Sequence, residues 1–373
     1  MSEELPRGDE RPHTPVSEEL PRGDERPHTP VNLVRAGLTE DQRQIADMVA
    51  KPLRDGSDDP MLGADLGWFG IGLPTSCGGG GDLADLAVVV ESVGAAAAAC
   101  TVGWTTGVVG ATLATAADPP ARQLEQIAAG ACAVALPVLD VEAAAARMDV
   151  DGGALTGTLL VHGAPDFSLV AVPFTDGGDP AVALVAHEDV VVEALPSIDP
   201  SVHVARVVLD AVTPARQVVA RGSALHDTWR QRVCTVAALE AVGAARTALA
   251  RTLDYALTRA QFGRRIGSFQ AYKHRCSSAY VELKLAQSLA FRAAAEPDTP
   301  SGRALALAAG VESTRAAVFV CGEAIQLHGG IGFSWESGLH RLLKRARTAQ
   351  LLAVDSDAAA ADLIRTTALV SAE

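Results

Sequence analysis

Aromatic side chains are scarce in this chain, at 4% of 373 residues with 4 Trp and 3 Tyr. A core so poor in rings must be filled by Ala, Val and Leu, which favours closely packed helices. Blocks of cationic residues are also missing. Lys and Arg number 31 against 45 Asp and Glu, for a net charge of −14. That balance argues against nucleic acid or an anionic membrane as the main partner. The cysteines Cys77, Cys100, Cys132, Cys234, Cys276 and Cys321 are too far apart for metal-knuckle or thioredoxin-type spacing. They read as reduced, buried thiols. The N-terminus has no apolar stretch of the kind a secretory signal needs. No uninterrupted run of about 18 bulky apolar residues occurs, so no membrane span is expected and the cytoplasm is the default location.

What is present falls into segments. The length suits two or three packed domains. Residues 2–16 and 17–31 repeat SEELPRGDERPHTPV letter for letter. Two copies are too few for a solenoid, and such a polar, Pro-bearing stretch buries too little to offset its ordering entropy, so 1–31 is expected to be a disordered duplicated tail. Residues 32–128 read as helical, with Thr39 placed to cap a first turn that opens Glu40-Asp41. The break Leu66-Gly67-Trp68-Phe69-Gly70-Ile71-Gly72-Leu73-Pro74 is followed by four glycines, Gly78 to Gly81, which read as a flexible loop, and then by a helix over 83–93. Between 129 and 222, short β-branched runs at 133–139, 154–161, 169–173, 181–186, 190–195 and 204–210 alternate with Gly, Pro and Asp clusters. That spacing predicts a small antiparallel sheet domain. From 223 to 373 the helical period returns, with long candidates at 229–259, 269–295 and 301–326.

Two segments carry the strongest signal. One is Tyr255-Ala256-Leu257-Thr258-Arg259-Ala260-Gln261-Phe262-Gly263-Arg264-Arg265-Ile266-Gly267-Ser268-Phe269-Gln270. The other is Gln326-Leu327-His328-Gly329-Gly330-Ile331-Gly332-Phe333, followed by Trp335-Glu336. In order and spacing they closely resemble the acyl-CoA dehydrogenase family of flavoproteins. The Gly-Trp-Phe-Gly-Ile-Gly-Leu-Pro break and the helix–sheet–helix layout agree, so the resemblance covers about residues 36–350. It implies an α+β, mostly α fold: an N-terminal helical domain, a middle antiparallel β domain and a C-terminal helical bundle.

The resemblance also implies FAD, held mainly by a neighbouring subunit and contacted by Arg259, Phe262, Gln270, Gln326, Gly329 and Gly330. The chemistry suits that work. Arg259 can grip a pyrophosphate in bidentate fashion, Phe262 offers a flat apolar face, and Gln270 offers an amide. Gly329-Gly330 lets backbone approach an anion closely. The plainer alternative is that Arg259 and Gln270 are interface residues and the glycines only end a helix.

The implied reaction is α,β-desaturation of an acyl thioester, with a desolvated carboxylate taking the α-proton and hydride leaving for flavin N5. Here the sequence departs from the family. One usual base position falls on Ala353 and the other near Val233, and neither is acidic. Asp355 and Asp357 are near the first but out of register. Glu240, two turns beyond Val233, is the only carboxylate in the apolar stretch 233–245, so it is the candidate base. Its alternative is a helix-pairing Glu, with Arg246 as one possible partner. A second departure is the segment Ala133 to Glu142, which has no hydroxyl residue where the family usually places a flavin-contacting loop. Own-flavin contacts are thus weakened while groups that serve a neighbour's flavin are intact, a pattern that resembles subunits of heteromeric family members.

Three readings follow: an FAD-dependent acyl-CoA dehydrogenase in a dimer or tetramer, a catalytically incomplete partner of a sister chain, or a flavin monooxygenase-type member of the same fold. Electron-transfer flavoprotein is the electron acceptor that the resemblance implies. Lesser candidates are His328 as a donor, and Glu336 with His340, four apart on a helix at metal-compatible spacing but without a third ligand. Arg341, Lys344, Arg345 and Arg347 read as a basic helical face turned to solvent.

Overall fold

The computed structural model describes residues 33, 37–55, 58–138, 140–214 and 219–353. The duplicated segment 1–31 lies outside the described residues, as do Asp355 and Asp357.

The first helical segment starts with α1 (Glu40–Asp55). Thr39 and Gln42 cap it reciprocally, each backbone N–H donating 3.2 Å to the other's side chain. The chain then turns through Trp68–Gly70. Ile71 pairs with Gly80, and Gly79 donates to Pro74. The glycine run is therefore tied down rather than free. A Cβ on Gly79 would overlap the Leu73 carbonyl, which is why glycine stands there. α2 (Leu83–Ala96) opens on an Asp82/Asp85 capping box, and a π-helical stretch Gly103–Gly110 leads into α3 (Ala111–Leu113) and α4 (Ala121–Ala128).

β1 (Val134–Pro137) begins the sheet, and α5 (Val141–Ala145) follows it. Next come β2 (Met148–Asp151), β3 (Ala154–Gly163), β4 (Leu169–Asp176), β5 (Asp179–Ala186), β6 (Val191–Leu195), β7 (His203–Val212) and β8 (Val219–Arg221). The strand order is β6-β7-β3-β1-β4-β5-β8, with β2 on β3. One expectation is corrected: β1 pairs with β4 in parallel, so the sheet is mixed. The crossover that this pairing requires is supplied by α5 and the β2–β3 hairpin.

The bundle is built on α6 (Leu225–Thr258), whose middle is buried almost without interruption. The hairpin β9 (Ala260–Gln261) and β10 (Arg264–Arg265) leads to α7 (Gln270–Ala295), α8 (Pro300–Ala308), α9 (Thr314–His328) and α10 (Leu339–Ala353). α2 and α6 cross with backbone nearly touching. A Cβ on Gly94 would overlap Glu240 backbone, and one on Gly243 would overlap the Glu91 carbonyl. Small residues do here what rings do in other cores, by letting helix axes close up instead of filling the gap. Glu91, fully buried, is balanced by Arg246 at 2.5 Å. Segments Leu225–Thr258 and Pro300–Phe333 are long and apolar enough to cross a membrane by length and composition alone, but the apolar windows are 78% and 56% buried inside the fold, as core helices are. All six cysteines are free and buried.

Candidate functional site

The two sequence motifs meet at one end of the bundle. Tyr255, in the last turn of α6, stacks on His328, in the last turn of α9, with ring centroids 4.5 Å apart. Arg259 leaves α6 in extended backbone, and its carbonyl accepts from Ile266 at 2.9 Å, closing the base of the β9–β10 hairpin. Phe262 (φ +53°) and Gly263 (φ +75°) form the two-residue turn, whose hand matches the strand twist only when both φ values are positive. Glycine adopts that conformation freely, whereas Phe262 is strained and stands 92% exposed. Arg264 lies 3.9 Å over the Phe269 ring, and α7 begins at Gln270 with no side chain capping its first turn.

Arg259, Gln270 and Gln326 are exposed and make no side-chain hydrogen bond or ion pair among the described residues. Gly329 (φ +63°, ψ −142°) occupies backbone space open only to glycine, and a Cβ on Gly330 would meet nothing within 4 Å. Phe333 and Trp335 are 74% and 79% exposed beside this turn. Forked cation, two amides, open glycine backbone and bare rings together fit a dinucleotide presented from outside the chain. His328 is a spacer: its Nδ1 donates to the Ala324 carbonyl at 2.7 Å, and burial lowers its pKa against that bond.

A second polar group lies deep between the sheet and the bundle. Arg345 is 2% exposed and donates to Asp199 Oδ2 (3.0 Å), Glu240 Oε2 (3.1 Å), Ala98 O (2.6 Å) and Ser201 Oγ (2.6 Å). Trp104 Nε1 donates to the remaining Glu240 oxygen at 3.0 Å. Edge-on to Trp104 sits His162, whose pKa falls to about 3 through burial, with the Arg345 charge adding to the effect. Burial raises the Glu240 pKa, opposed by Arg345 and Trp104.

Several expectations are corrected here. Glu240 does not face a cleft as a free carboxylate, because both its oxygens are bonded and its partner is Arg345, not Arg246. Arg345 is not on a solvated face. It belongs to the buried stripe of α10 with Leu342, Ala349 and Leu352, a helical spacing legible in the sequence. Glu336 precedes α10 and shares no helix with His340. Among the described residues no cluster could hold a metal. Asp199, Ser201 and Trp104 lie far from Glu240 in sequence, and no local signal marks them.

The end of α10 that carries Ala353 packs against α6 beside Val233. Cys234, next to Val233 on α6, donates its thiol to the carbonyl of Ala353 at 3.4 Å. Glu240 lies seven residues on, roughly 10 Å along the axis at 1.5 Å per residue. Among the described residues, the nearby acids are engaged: Asp227 with Arg303, Asp298 with Arg232, and Asp140 with Arg230.

Residues 223–357 match the family model described as acyl-CoA dehydrogenase, C-terminal domain. The chain is 34% identical over 294 residues to acyl-CoA dehydrogenase IpdE2 of Mycobacterium tuberculosis, covering 78% of this chain and 81% of that one. In fold it is similar to the ChsE4-ChsE5 complex of Mycobacterium tuberculosis (TM-score 0.81, 21% identity, 89% of this chain and 98% of that one). It is likewise similar to an FAD complex of PigA (TM-score 0.77, 18% identity, 90% and 100%). The motifs at the bundle end, the helix–sheet–helix order and these likenesses agree: the chain belongs to the acyl-CoA dehydrogenase family of oxidoreductases.

Proposed function

We propose that this chain is a subunit of an FAD-dependent acyl-CoA dehydrogenase assembly, in which it completes the flavin site of a sister chain and does not itself remove the substrate's α-proton. The observation that carries this reading is that neither usual base position, Ala353 nor Val233 beside its contact Cys234, bears a carboxylate, while the groups that would serve a neighbour's flavin are exposed and make no side-chain hydrogen bond or ion pair among the described residues. When bound, FAD supplies the hydride acceptor for desaturation of the acyl thioester. Arg259 would hold the pyrophosphate, Phe262 would cover an apolar face, and Gln270, Gln326 and the Gly329-Gly330 backbone would donate hydrogen bonds. Electrons would pass to an electron-transfer flavoprotein. The sister-chain arrangement is supported by the two-chain ChsE4-ChsE5 complex among the similar folds.

The test is the absorption spectrum and FAD stoichiometry of the purified chain, alone and with a sister chain. The expected result is a colourless chain that becomes yellow only in the mixed assembly. Yellow protein that is bleached by an acyl thioester without a sister chain overturns the reading and makes the chain a self-sufficient dehydrogenase. Turnover that requires reduced nicotinamide and oxygen overturns it in favour of a monooxygenase.

A further inference from the structure

α1 packs along α2 but stands off α6, and the gap is a groove of about 740 Å³. Its α1 wall is an apolar stripe, Ala46, Ala50 and Leu53, at helical spacing. Four arginines stand among the small and apolar residues that line the rest. Two are neutralised, Arg43 by Glu40 and Arg246 by Glu91. The other two, Arg54 and Arg251, have no carboxylate partner among the described residues, and Arg251 donates only to the Ser337 carbonyl at 3.4 Å. One acid, Asp47, also lines the groove. Two uncompensated guanidiniums against one carboxylate is a local excess of positive charge in a chain of net charge −14. Burial and the nearby Arg341 both disfavour the Arg251 cation, a cost that an arriving anion would relieve.

We propose that this groove binds an amphipathic organic anion, with a carboxylate, sulfonate or phosphate against Arg54 and Arg251 and an apolar body along Ala46, Ala50 and Leu53. The volume lies within the range of small-molecule sites, which join an apolar lining to a few convergent polar groups. Guanidinium forks match the oxygens of such a headgroup better than a single ammonium does.

The experiment is a fluorescence titration of the full chain with 8-anilinonaphthalene-1-sulfonate, an aryl sulfonate of this shape. Saturable binding is expected. Arg54→Ala with Arg251→Ala should weaken it about tenfold or more, the loss expected for charge-assisted bonds. Ala50→Trp should abolish it by filling the groove, while circular dichroism stays unchanged. Competitors then identify the headgroup source. Displacement by decanoate alone points to a free carboxylic acid, and displacement by adenosine 3′,5′-bisphosphate alone points to a nucleotide phosphate; either supports the site. Absence of saturable binding, or an affinity unchanged in the double arginine variant, overturns it. The arginine variants keep the test decisive if Ala50→Trp disturbs α1. No flavin is involved, so the outcome does not depend on the sister-chain reading.

Discussion

Helix α6 carries two sets of functional-looking polar residues, and the fold treats them in opposite ways. In its middle, Glu240 is sealed from water, and both oxygens are taken up by Arg345 and Trp104. At its end, Arg259, with Gln270 and Gln326 nearby, is exposed, and none of the three makes a side-chain hydrogen bond or ion pair among the described residues. A satisfied buried network holds elements together, here the sheet loop at Asp199–Ser201, Ala98 just beyond α2, Trp104 of the π-helical stretch, α6 and α10. An unsatisfied exposed group is available for a partner. The contrast teaches that a carboxylate in an apolar helix is not thereby a base. What counts is whether its lone pairs are already used.

The largest test of this comparison is Arg345→Met. It leaves Glu240 and Asp199 buried without their cation, at an expected cost of about 3–5 kcal/mol, read as a lower midpoint in thermal or denaturant unfolding. Adding Glu240→Leu should recover part of the loss. A single variant within about 1 kcal/mol of wild type would show that the network is not structural.

Arg259→Ala should do the reverse. Unfolding should be unchanged, while FAD retained by the mixed assembly falls about tenfold, for a lost charge-assisted bond of roughly 1.5–3 kcal/mol. Unchanged FAD content in the purified assembly would return Arg259 to the status of a surface cation.

A third test uses pH. His162 has a folded pKa of about 3 against an ordinary 6.5. Because the folded value is depressed, its contribution is present above pH 6.5 and is lost as pH falls, since the unfolded chain takes up a proton that the folded one refuses. Between pH 7.5 and 5.5 the loss should be about 1.4 kcal/mol, and His162→Gln should remove that share of the slope in denaturant titrations. Equal slopes in both proteins would mean that the interior beside Trp104 is wet.

The smallest effect is at the hairpin. Phe262 adopts a left-handed conformation that costs an ordinary residue roughly 1–2 kcal/mol. Phe262→Asn should leave stability equal or up to about 1 kcal/mol higher, since Asn tolerates that region, while FAD retention drops. A loss of stability with FAD retention intact would reverse the assignment of Phe262 from ligand contact to packing.

The helix order, six of the eight strands of the main sheet near their observed bounds, the Thr39 cap and both bundle-end motifs were legible because each rests on local periodicity or on a contiguous pattern, whereas the short β2 and β8 gave no such run. The parallel β1–β4 pair was not, because short apolar strands read alike in either direction and the pairing is set by the α5–β3 crossover. The anchoring of the glycine run was hidden for a related reason: glycine permits a fixed tight turn as readily as a loose one, and only the Ile71–Gly80 bridge distinguishes them.

Composition alone pointed to closely packed helices with a core of Ala, Val and Leu, since few rings were available to fill wider gaps. Sequence pattern determined its family and, through that resemblance, which residues to propose as contacts of a neighbour's flavin. The fate of its charges was decided only by tertiary structure. Glu240, Arg345 and Asp199 are separated by 105 and 146 positions in the chain along the two bonds that join them, and no local signal spans such distances. Burial made each of these ions costly alone, and their meeting at one dry point made them affordable together.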